Sequence, residues 1–250
     1  MSYVDPVHTL ADLESWPQSG TWLAVLGHPI KHSISPAMHN AALAMLAGKD
    51  ARFSEWRYVR FDVPPEQLPL ALDKLREQRF LGVNLTVPHK VIAFAHISQI
   101  DEAAQPVGAI NTLHSIADGW KGYNTDGYGL AAGLREEMGI DLADADVIIV
   151  GAGGAARGAG VECLQQGVRS LWIANRTSAK TDILLAALTP LSKRHAALRG
   201  FAPAHPPADL PSGAVVINAT SAGLKSEDPA PIDLTRLPSP RAVFDMIYNP

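Results

Sequence analysis

The stretch that decides the fold is residues 147–157, which read VIIVGAGGAAR. Four apolar residues, all of them β-branched, predict a buried strand, and the run ends in glycines, which let backbone amides approach an anion closely. The residues that follow favour a helix whose positive N-terminal end would point at that anion. This order is typical of a turn that binds the pyrophosphate of a dinucleotide. The candidate contacts are Gly151, Ala152, Gly153, Gly154 and Ala155.

A second predicted strand, residues 171–174, ends where such a unit meets the ribose of the nucleotide. An acidic residue there would bind a 2′-hydroxyl, whereas Arg176, Thr177 and Lys180 would bind a 2′-phosphate. We therefore predict NADP rather than NAD as the cofactor. An ordinary tight turn is the alternative, because a glycine-rich turn alone is weak evidence.

Composition narrows the class of protein. The 250 residues are 47% hydrophobic and 18% charged, which is enough for two domains with sizeable cores. A net charge of −4 gives no general positive field for nucleic acid, so we predict no nucleic-acid partner. The chain shows no apolar export signal and no apolar run long enough to span a membrane, so we predict no membrane association. Because Cys163 is the single cysteine, a reducing, cytoplasmic location is expected.

The hydrophobic pattern predicts an α/β protein with two domains. Residues 1–125 should form a substrate-binding and catalytic domain with a mostly parallel sheet, after an irregular leader at 1–20. Residues 126–250 should form a connector helix and a doubly wound, Rossmann-like NADP-binding domain. In the first domain the predicted strands are 22–27, 53–61 and 81–87, the predicted helices are 35–47, 66–78 and a stretch near 98–105, and a hairpin spans 110–123. In the second the predicted strands are 147–150, 171–174, 215–217 and 242–245, the predicted helices are 125–138, 155–166 and 178–188, and an irregular connection spans 202–211.

Lys90 and Asp126 are the candidate catalytic residues. Reduction of a ketone needs a proton donor near the carbonyl oxygen, and Lys90 follows a strand that Pro88 ends, which places its ammonium group at a strand end, where clefts form. Asp126 begins a helix and could hold that ammonium group and help to move the proton. The alternatives are a solvated lysine and a carboxylate that only complements the helix dipole.

Two serines and several histidines complete the candidates. Ser35 before Pro36 is explained as a helix N-cap, but Ser33 is not, and two hydroxyls facing a cleft can bind a carboxylate. His89 is expected at the surface. His28, His32 and His39 could suggest a metal, but no cysteine or carboxylate completes a ligand set, so we predict no metal site.

Eight blocks, in order, resemble the motif set of the shikimate dehydrogenases, and together they are far more specific than any one of them. They span the chain from about residue 25 to its last residue. The blocks begin at Pro29 (PIKHSISPAMHN), Asn84 (NLTVPHK), Gly108 (GAINT), Asn124 (NTDG), Gly151 (GAGGA), Asn175 (NRT), Asn218 (NATS) and Asp245 (DMIYNP).

The resemblance implies NADPH-dependent, reversible reduction of 3-dehydroshikimate to shikimate in aromatic amino-acid biosynthesis. It implies that Lys90 and Asp126 are the catalytic pair and that the partner is a small-molecule substrate; a homodimer is left open. By position, the implied substrate-binding residues are Ser33, Ser35, Thr86, Asn111 and Tyr248. The implied cofactor-binding residues add Asn175, Thr220 and Met246 to the glycine turn and the basic cluster.

Two departures from the family pattern stand out. His28 replaces the asparagine that is usual in the family. The family continues beyond the position of Pro250 into helices that return to the first domain and carry a substrate-binding glutamine, and we expect those segments to be missing from residues 1–250.

Three other functions stay open. One is a quinate or dual quinate/shikimate dehydrogenase, since quinate differs from shikimate only by a ring hydroxyl and the ring unsaturation. A non-catalytic sensor of substrate and nucleotide would bind the same molecules without turnover. A folate-type dehydrogenase of similar layout should lack the pair formed by Ser33 and Ser35.

Overall fold

The structure is a computed structural model that describes residues 5–192, 196–223 and 227–247. The chain divides into two compact units, Met1–Asn124 and Thr125–Pro250. Each unit is built on its own β-sheet, one of seven strands and one of five in the described part of the chain. The predicted α/β fold class is confirmed.

Unit 1 combines a mixed sheet with three α-helices among its described residues. The strands are β1 Val7–His8, β2 Thr21–Gly27, β3 Trp56–Asp62, β4 Gly82–Leu85, β5 Gln99–Ile100, β6 Thr112–Ile116 and β7 Gly119–Tyr123. The helices are α1 Ser35–Ala47, α2 Leu68–Glu77 and α3 His89–His96.

The strand order of unit 1 places several loops side by side. The order is β1-β3-β2-β4-β6-β7-β5, and β3, β2 and β4 run parallel. The loops that follow these three strands therefore leave the same edge of the sheet. The predicted hairpin of β6 and β7 is present and pairs antiparallel with β4, but β5 adds a further, parallel strand beyond it. This arrangement brings the start of β6 to the end of β4.

The sheet of unit 1 carries a core on each face. The larger core packs α2 and the leader against Phe61, Phe80 and Leu113, which are almost fully buried. The smaller core, on the other face, packs α1 through Leu43 against Val25. Side chains therefore alternate along β3 between the two cores, as the strand period requires.

Two predictions for unit 1 were wrong, and one helix was missed. The leader is not irregular, because it contains β1 and a 3-10 helix, Leu10–Ser15, whose Leu13 is buried. The helix predicted near 98–105 is replaced by β5 and a run of turns. The helix α3, which follows Pro88, was not predicted.

Unit 2 has five parallel strands and three α-helices in the part described. The strands are β8 Asp146–Val150, β9 Ser170–Ala174, β10 Ala197–Phe201, β11 Val215–Asn218 and β12 Ala242–Asp245, and the helices are α4 Asp126–Met138, α5 Gly154–Gln166 and α6 Ser178–Leu188.

The strand order of unit 2 is β10-β9-β8-β11-β12. The chain moves outward from β8 to β10 and then returns to the other side of β8, so the order reverses between β8 and β11. Such a reversal leaves a crevice at the carboxyl ends of the strands, where ligands bind in folds of this type. The predicted doubly wound topology is confirmed.

Two details of unit 2 differ from the sequence analysis. The edge strand β10 was not predicted. The irregular connection at 202–211 is not only a surface feature, because Leu210 belongs to the core that packs against Ile148 and Trp172.

None of the helices in the described ranges has the length and apolar character needed to cross a membrane.

Candidate functional site

The end of β4 carries Thr86 and Lys90. The Thr86 N–H donates to the Leu26 carbonyl of β2 at 2.9 Å, and the Thr86 carbonyl accepts from the N–H of His89 at 2.8 Å. The Lys90 carbonyl accepts from the Ile110 N–H at 2.8 Å. Backbone bonds therefore fix the loop and the first turn of α3 between β2 and the segment that leads into β6.

Lys90 lies in the first turn of α3, soon after the end of β4, and is half-buried rather than fully solvated. A cation in a first turn faces the positive end of the helix dipole, which is unfavourable. The stability of α3 therefore does not explain why a lysine occupies position 90. His89 beside it is fully buried rather than exposed, and burial lowers the pKa of its imidazole, so a neutral ring adjoins Lys90 near pH 7.

Asn111 is buried directly before β6 and is held on both sides. Its N–H donates to the Tyr123 carbonyl at 3.0 Å, and its carbonyl accepts from the Leu85 N–H at 2.8 Å. Because Leu85 precedes Thr86 and Ile110 precedes Asn111, the structure brings together the backbones of Thr86, Lys90 and Asn111. These are three of the predicted site residues.

A chain of side-chain hydrogen bonds orients the Asn111 amide. The Thr112 hydroxyl donates to Asn111 Oδ1 at 2.9 Å, and Asn84 Nδ2 donates to the Thr112 hydroxyl at 3.0 Å. The Tyr58 hydroxyl in turn donates to Asn84 Oδ1 at 2.7 Å. The side chain of Asn40 in α1 bonds both the N–H and the carbonyl of Tyr58. Sequence reasoning missed this supporting role, although Asn40 and Asn84 lie in the quoted motifs.

Ser33 and Ser35 are half-buried in the loop after β2 and at the start of α1. The predicted N-cap was wrong: Ser35 is the first helical residue, Ile34 precedes it, and the Ser33 hydroxyl accepts from the Ser35 N–H at 3.3 Å. The side chain that accepts a backbone N–H at the start of α1 is therefore that of Ser33, not that of Ser35. This loop is also held by Arg60 of β3, whose guanidinium donates to the Ser33 carbonyl at 2.9 Å.

Asp126 is the first residue of α4 in unit 2 and is half-exposed. A carboxylate there complements the helix dipole, so its position alone has a structural explanation. The neighbouring Gly127 is required for packing, because an added Cβ would lie 2.9 Å from Glu162 of α5. Lys90 belongs to the other unit, and the pairing of the two side chains stays a prediction.

The candidate cofactor residues lie in the segments that follow the strands at one edge of the unit 2 sheet. Val150 at the end of β8 is in register with Ala174 of β9 and with Asn218 of β11, and Asn218 is in register with Asp245 of β12. The strands are parallel, so the segments that follow these four residues emerge side by side. They contain the glycine turn, Asn175 to Lys180, Thr220 and Met246.

The glycine turn requires glycine at one position and leaves open space beside two others. Gly151 has φ +117°, and an added Cβ would lie 2.9 Å from the Ala219 carbonyl oxygen, so only glycine fits there. An added Cβ at Gly153 or Gly154 meets no atom within 4 Å, which leaves open space before the N-terminus of α5. No acidic residue occupies the first turn of α5. This cradle suits a pyrophosphate.

Arg176, Thr177 and Lys180 are exposed where β9 leads into α6. Asn175 Nδ2 donates to the Thr177 carbonyl at 2.9 Å and so shapes the turn that presents them. Two cations and a hydroxyl beside the glycine turn fit a 2′-phosphate. The residues present therefore suit NADP.

Asn218 organises the turn that carries Thr220. Its Oδ1 accepts from the Thr220 hydroxyl at 2.7 Å and from the Thr220 N–H at 3.1 Å. The Thr220 hydroxyl also accepts from the Ala222 N–H at 3.0 Å. Thr220 is thus a structural part of the turn beside Gly151, a role that sequence reasoning missed. Met246 is half-buried, and its N–H donates to the Asn218 carbonyl at 3.1 Å.

Tyr248 lies outside the described residues. Within residues 5–192, 196–223 and 227–247, no group of three or more histidine, cysteine, aspartate or glutamate side chains is arranged to hold a metal ion.

Comparisons with known proteins point to one family. Residues 25–113 match the family model described as the shikimate dehydrogenase substrate binding domain. The shikimate dehydrogenase (NADP(+)) of Symbiobacterium thermophilum is 38% identical over 237 residues, which cover 92% of this chain and 77% of that protein. A solved structure of a shikimate dehydrogenase in complex with NADP+ aligns with a TM-score of 0.80 at 30% identity, over 99% of this chain and 80% of that one. The Thermus thermophilus shikimate 5-dehydrogenase, solved with NADP(H) and shikimate, aligns with a TM-score of 0.76 at 34% identity, over 92% and 80% of the two chains.

Proposed function

The chain belongs to the shikimate dehydrogenase family, and from this premise we propose that it catalyses the reversible, NADPH-dependent reduction of 3-dehydroshikimate to shikimate. This is a step of aromatic amino-acid biosynthesis. The protein is an NADP-dependent oxidoreductase that acts on a secondary alcohol.

One observation carries the choice of cofactor. The glycine turn with open space before α5 and the exposed group of Arg176, Thr177 and Lys180 leave the same edge of one parallel sheet. In this fold the pyrophosphate lies at the glycine turn after the first strand, and the adenosine ribose lies near the end of the next strand. The basic group supplies charge-assisted bonds that a 2′-phosphate needs and a 2′-hydroxyl does not.

Lys90 and Asp126 are the proposed catalytic residues. NADPH, when bound, supplies the hydride that reduces the carbonyl carbon. The Lys90 ammonium donates a proton to the carbonyl oxygen, which becomes the new hydroxyl. Asp126 holds that ammonium and assists its reprotonation. In the reverse direction the neutral amine of Lys90 accepts the hydroxyl proton.

Unit 1 supplies the proposed substrate contacts. Thr86 and Asn111 hold ring hydroxyls. Backbone hydrogen bonds link both to the region of Lys90, because the residue before Asn111 bonds to Lys90 and the residue before Thr86 bonds to Asn111. The hydrogen bond from the Thr112 hydroxyl, which orients the Asn111 amide, supports this role. Ser33 and Ser35 hold the carboxylate. Tyr248 is assigned to the same group by its motif alone.

We place the enzyme in the cytoplasm, since Cys163 is the single cysteine of the sequence and has no partner for an intramolecular disulfide, as is usual in a reducing compartment. This thiol is free and fully buried, and burial raises its pKa to about 12. Such a thiol is unreactive and forms no disulfide. A homodimer is a further proposal that sedimentation would test.

The function is tested with purified protein by following the absorbance of the reduced cofactor, NADPH or NADH. Shikimate and quinate are each offered with NADP and with NAD, in four combinations. We expect turnover with shikimate and NADP to exceed the other three. Faster turnover with quinate would make the protein a quinate dehydrogenase, and binding of shikimate and NADP without turnover would make it a sensor.

A further inference from the structure

Arg60 carries a buried charge. It is 6% exposed on β3, on the face that packs against α1. Among the described residues, no carboxylate lies within ion-pair distance of its guanidinium. Its Nε has no hydrogen-bond partner there either. Most buried arginines are paired with an acid, so this one calls for an explanation.

Among the described residues, Arg60 donates hydrogen bonds only to backbone carbonyls. It donates to Asp5 at 2.6 Å, to Lys31 at 2.7 Å and to Ser33 at 2.9 Å. Carbonyl dipoles solvate a cation but do not neutralise it, so burial leaves a net positive charge beneath the loop. An anion bound at this loop would lower the electrostatic energy of Arg60.

The loop under which Arg60 lies is the loop of the two serines. Ser33 gives Arg60 its carbonyl, and the Ser33 hydroxyl accepts from the N–H of Ser35. Hydroxyl groups bind a carboxylate through hydrogen bonds in which only the acceptor is charged, so they do not neutralise it. A buried cation adds attraction that water screens less than it screens an exposed lysine such as Lys31.

We propose that Arg60 is a positioning and specificity-determining residue, which fixes the Ser33 loop and supplies the positive charge that selects a carboxylate-bearing substrate. This rests on the proposed function, since it takes the Ser33 and Ser35 hydroxyls as the carboxylate site. Arg60 acts through the loop and through its charge rather than by touching the reacting atoms.

The test compares a charged with a neutral substrate. Oxidation of shikimate and of its methyl ester by NADP is measured for the wild type, Arg60→Gln and Arg60→Lys. Arg57→Gln is the matched control, because Arg57 also lies on β3 and donates to backbone carbonyls, those of Ser54 and Trp56, but is exposed. Circular dichroism checks the folding of each variant, and Arg60→Met replaces Arg60→Gln if the latter misfolds.

We expect Arg60→Gln to raise KM for shikimate by roughly tenfold to hundredfold, the size typical of a lost interaction with a buried charge, and to change KM for the ester far less. Arg60→Lys should keep the preference for shikimate over the ester, and Arg57→Gln should leave KM for both substrates unchanged. Equal losses with both substrates in Arg60→Gln would overturn the charge role. An inactive wild type would overturn the proposed function itself, which is a different result.

Discussion

Replacing Gly151 with alanine tests the steric account of the glycine turn. The backbone at φ +117° disfavours a side chain by about 1–3 kcal/mol. The added Cβ would lie 2.9 Å from the Ala219 carbonyl oxygen and 3.1 Å from its carbon, so backbone rather than a mobile side chain must shift. Such overpacking costs about 1–3 kcal/mol more. We therefore expect a loss of stability of about 2–6 kcal/mol, or on the order of 10 °C in Tm.

Two other glycines supply matched controls. Gly213 has φ +76° and no atom within 4 Å of an added Cβ, so Gly213→Ala isolates the conformational cost, about 1–2 kcal/mol. Gly153 has φ −96° and also meets no atom, so Gly153→Ala should cost less than about 1 kcal/mol. Its new methyl group would instead occupy the space before α5, and NADP affinity should fall at least about tenfold, which corresponds to about 1.4 kcal/mol.

Thermal and urea denaturation give the stabilities, and titration of cofactor fluorescence gives the NADP affinities. The expected order of stability loss is Gly151→Ala, then Gly213→Ala, then Gly153→Ala. The reasoning would be refuted if Gly151→Ala and Gly213→Ala were equally stable. It would also be refuted if Gly153→Ala bound NADP like the wild type.

Two further substitutions test individual contacts. Arg176→Ala should weaken NADPH by roughly tenfold or more and leave NADH unchanged, since the lost bonds go to the 2′-phosphate; equal losses in the two titrations would count against that assignment. Thr112→Val removes the donor to Asn111 Oδ1 and should lower kcat/KM for shikimate by about tenfold, the size of one hydrogen bond, whereas Thr112→Ser should retain activity. If steady-state kinetics found serine and valine equally impaired, the hydroxyl would have no orienting role.

Much of the fold could be predicted because the strands that matter are short, apolar and β-branched. Residues 147–150 and 215–217 are buried throughout, and the glycines after β8 mark its end. The edge strand β10 escaped prediction because its residues are mostly exposed or only half-buried and include Arg199 and Gly200. The helix α3 was missed because it is short and follows Pro88, a residue that reads as the end of a structured segment.

The site divides in a similar way. Residues with a characteristic motif, such as Lys90 and the glycine turn, could be found from the sequence. Arg60 and Tyr58 could not, because an arginine or a tyrosine in a strand gives no sign that its side chain will be buried and bonded to a distant loop or strand. Ser35 was assigned the wrong local role, since only the backbone geometry shows that Ile34 is the N-cap.

The proton-transfer roles of Lys90 and Asp126 are the central claim, and a double-mutant cycle of turnover tests them most directly. Shikimate oxidation is measured at saturating NADP for Lys90→Ala, Asp126→Ala and the double variant. Each single change should lower kcat by roughly 10²–10⁴ with little effect on NADP affinity. The double variant should fall little further, because the two residues act as one unit. Unchanged turnover in either single variant, or independent losses that multiply in the double variant, would contradict the account.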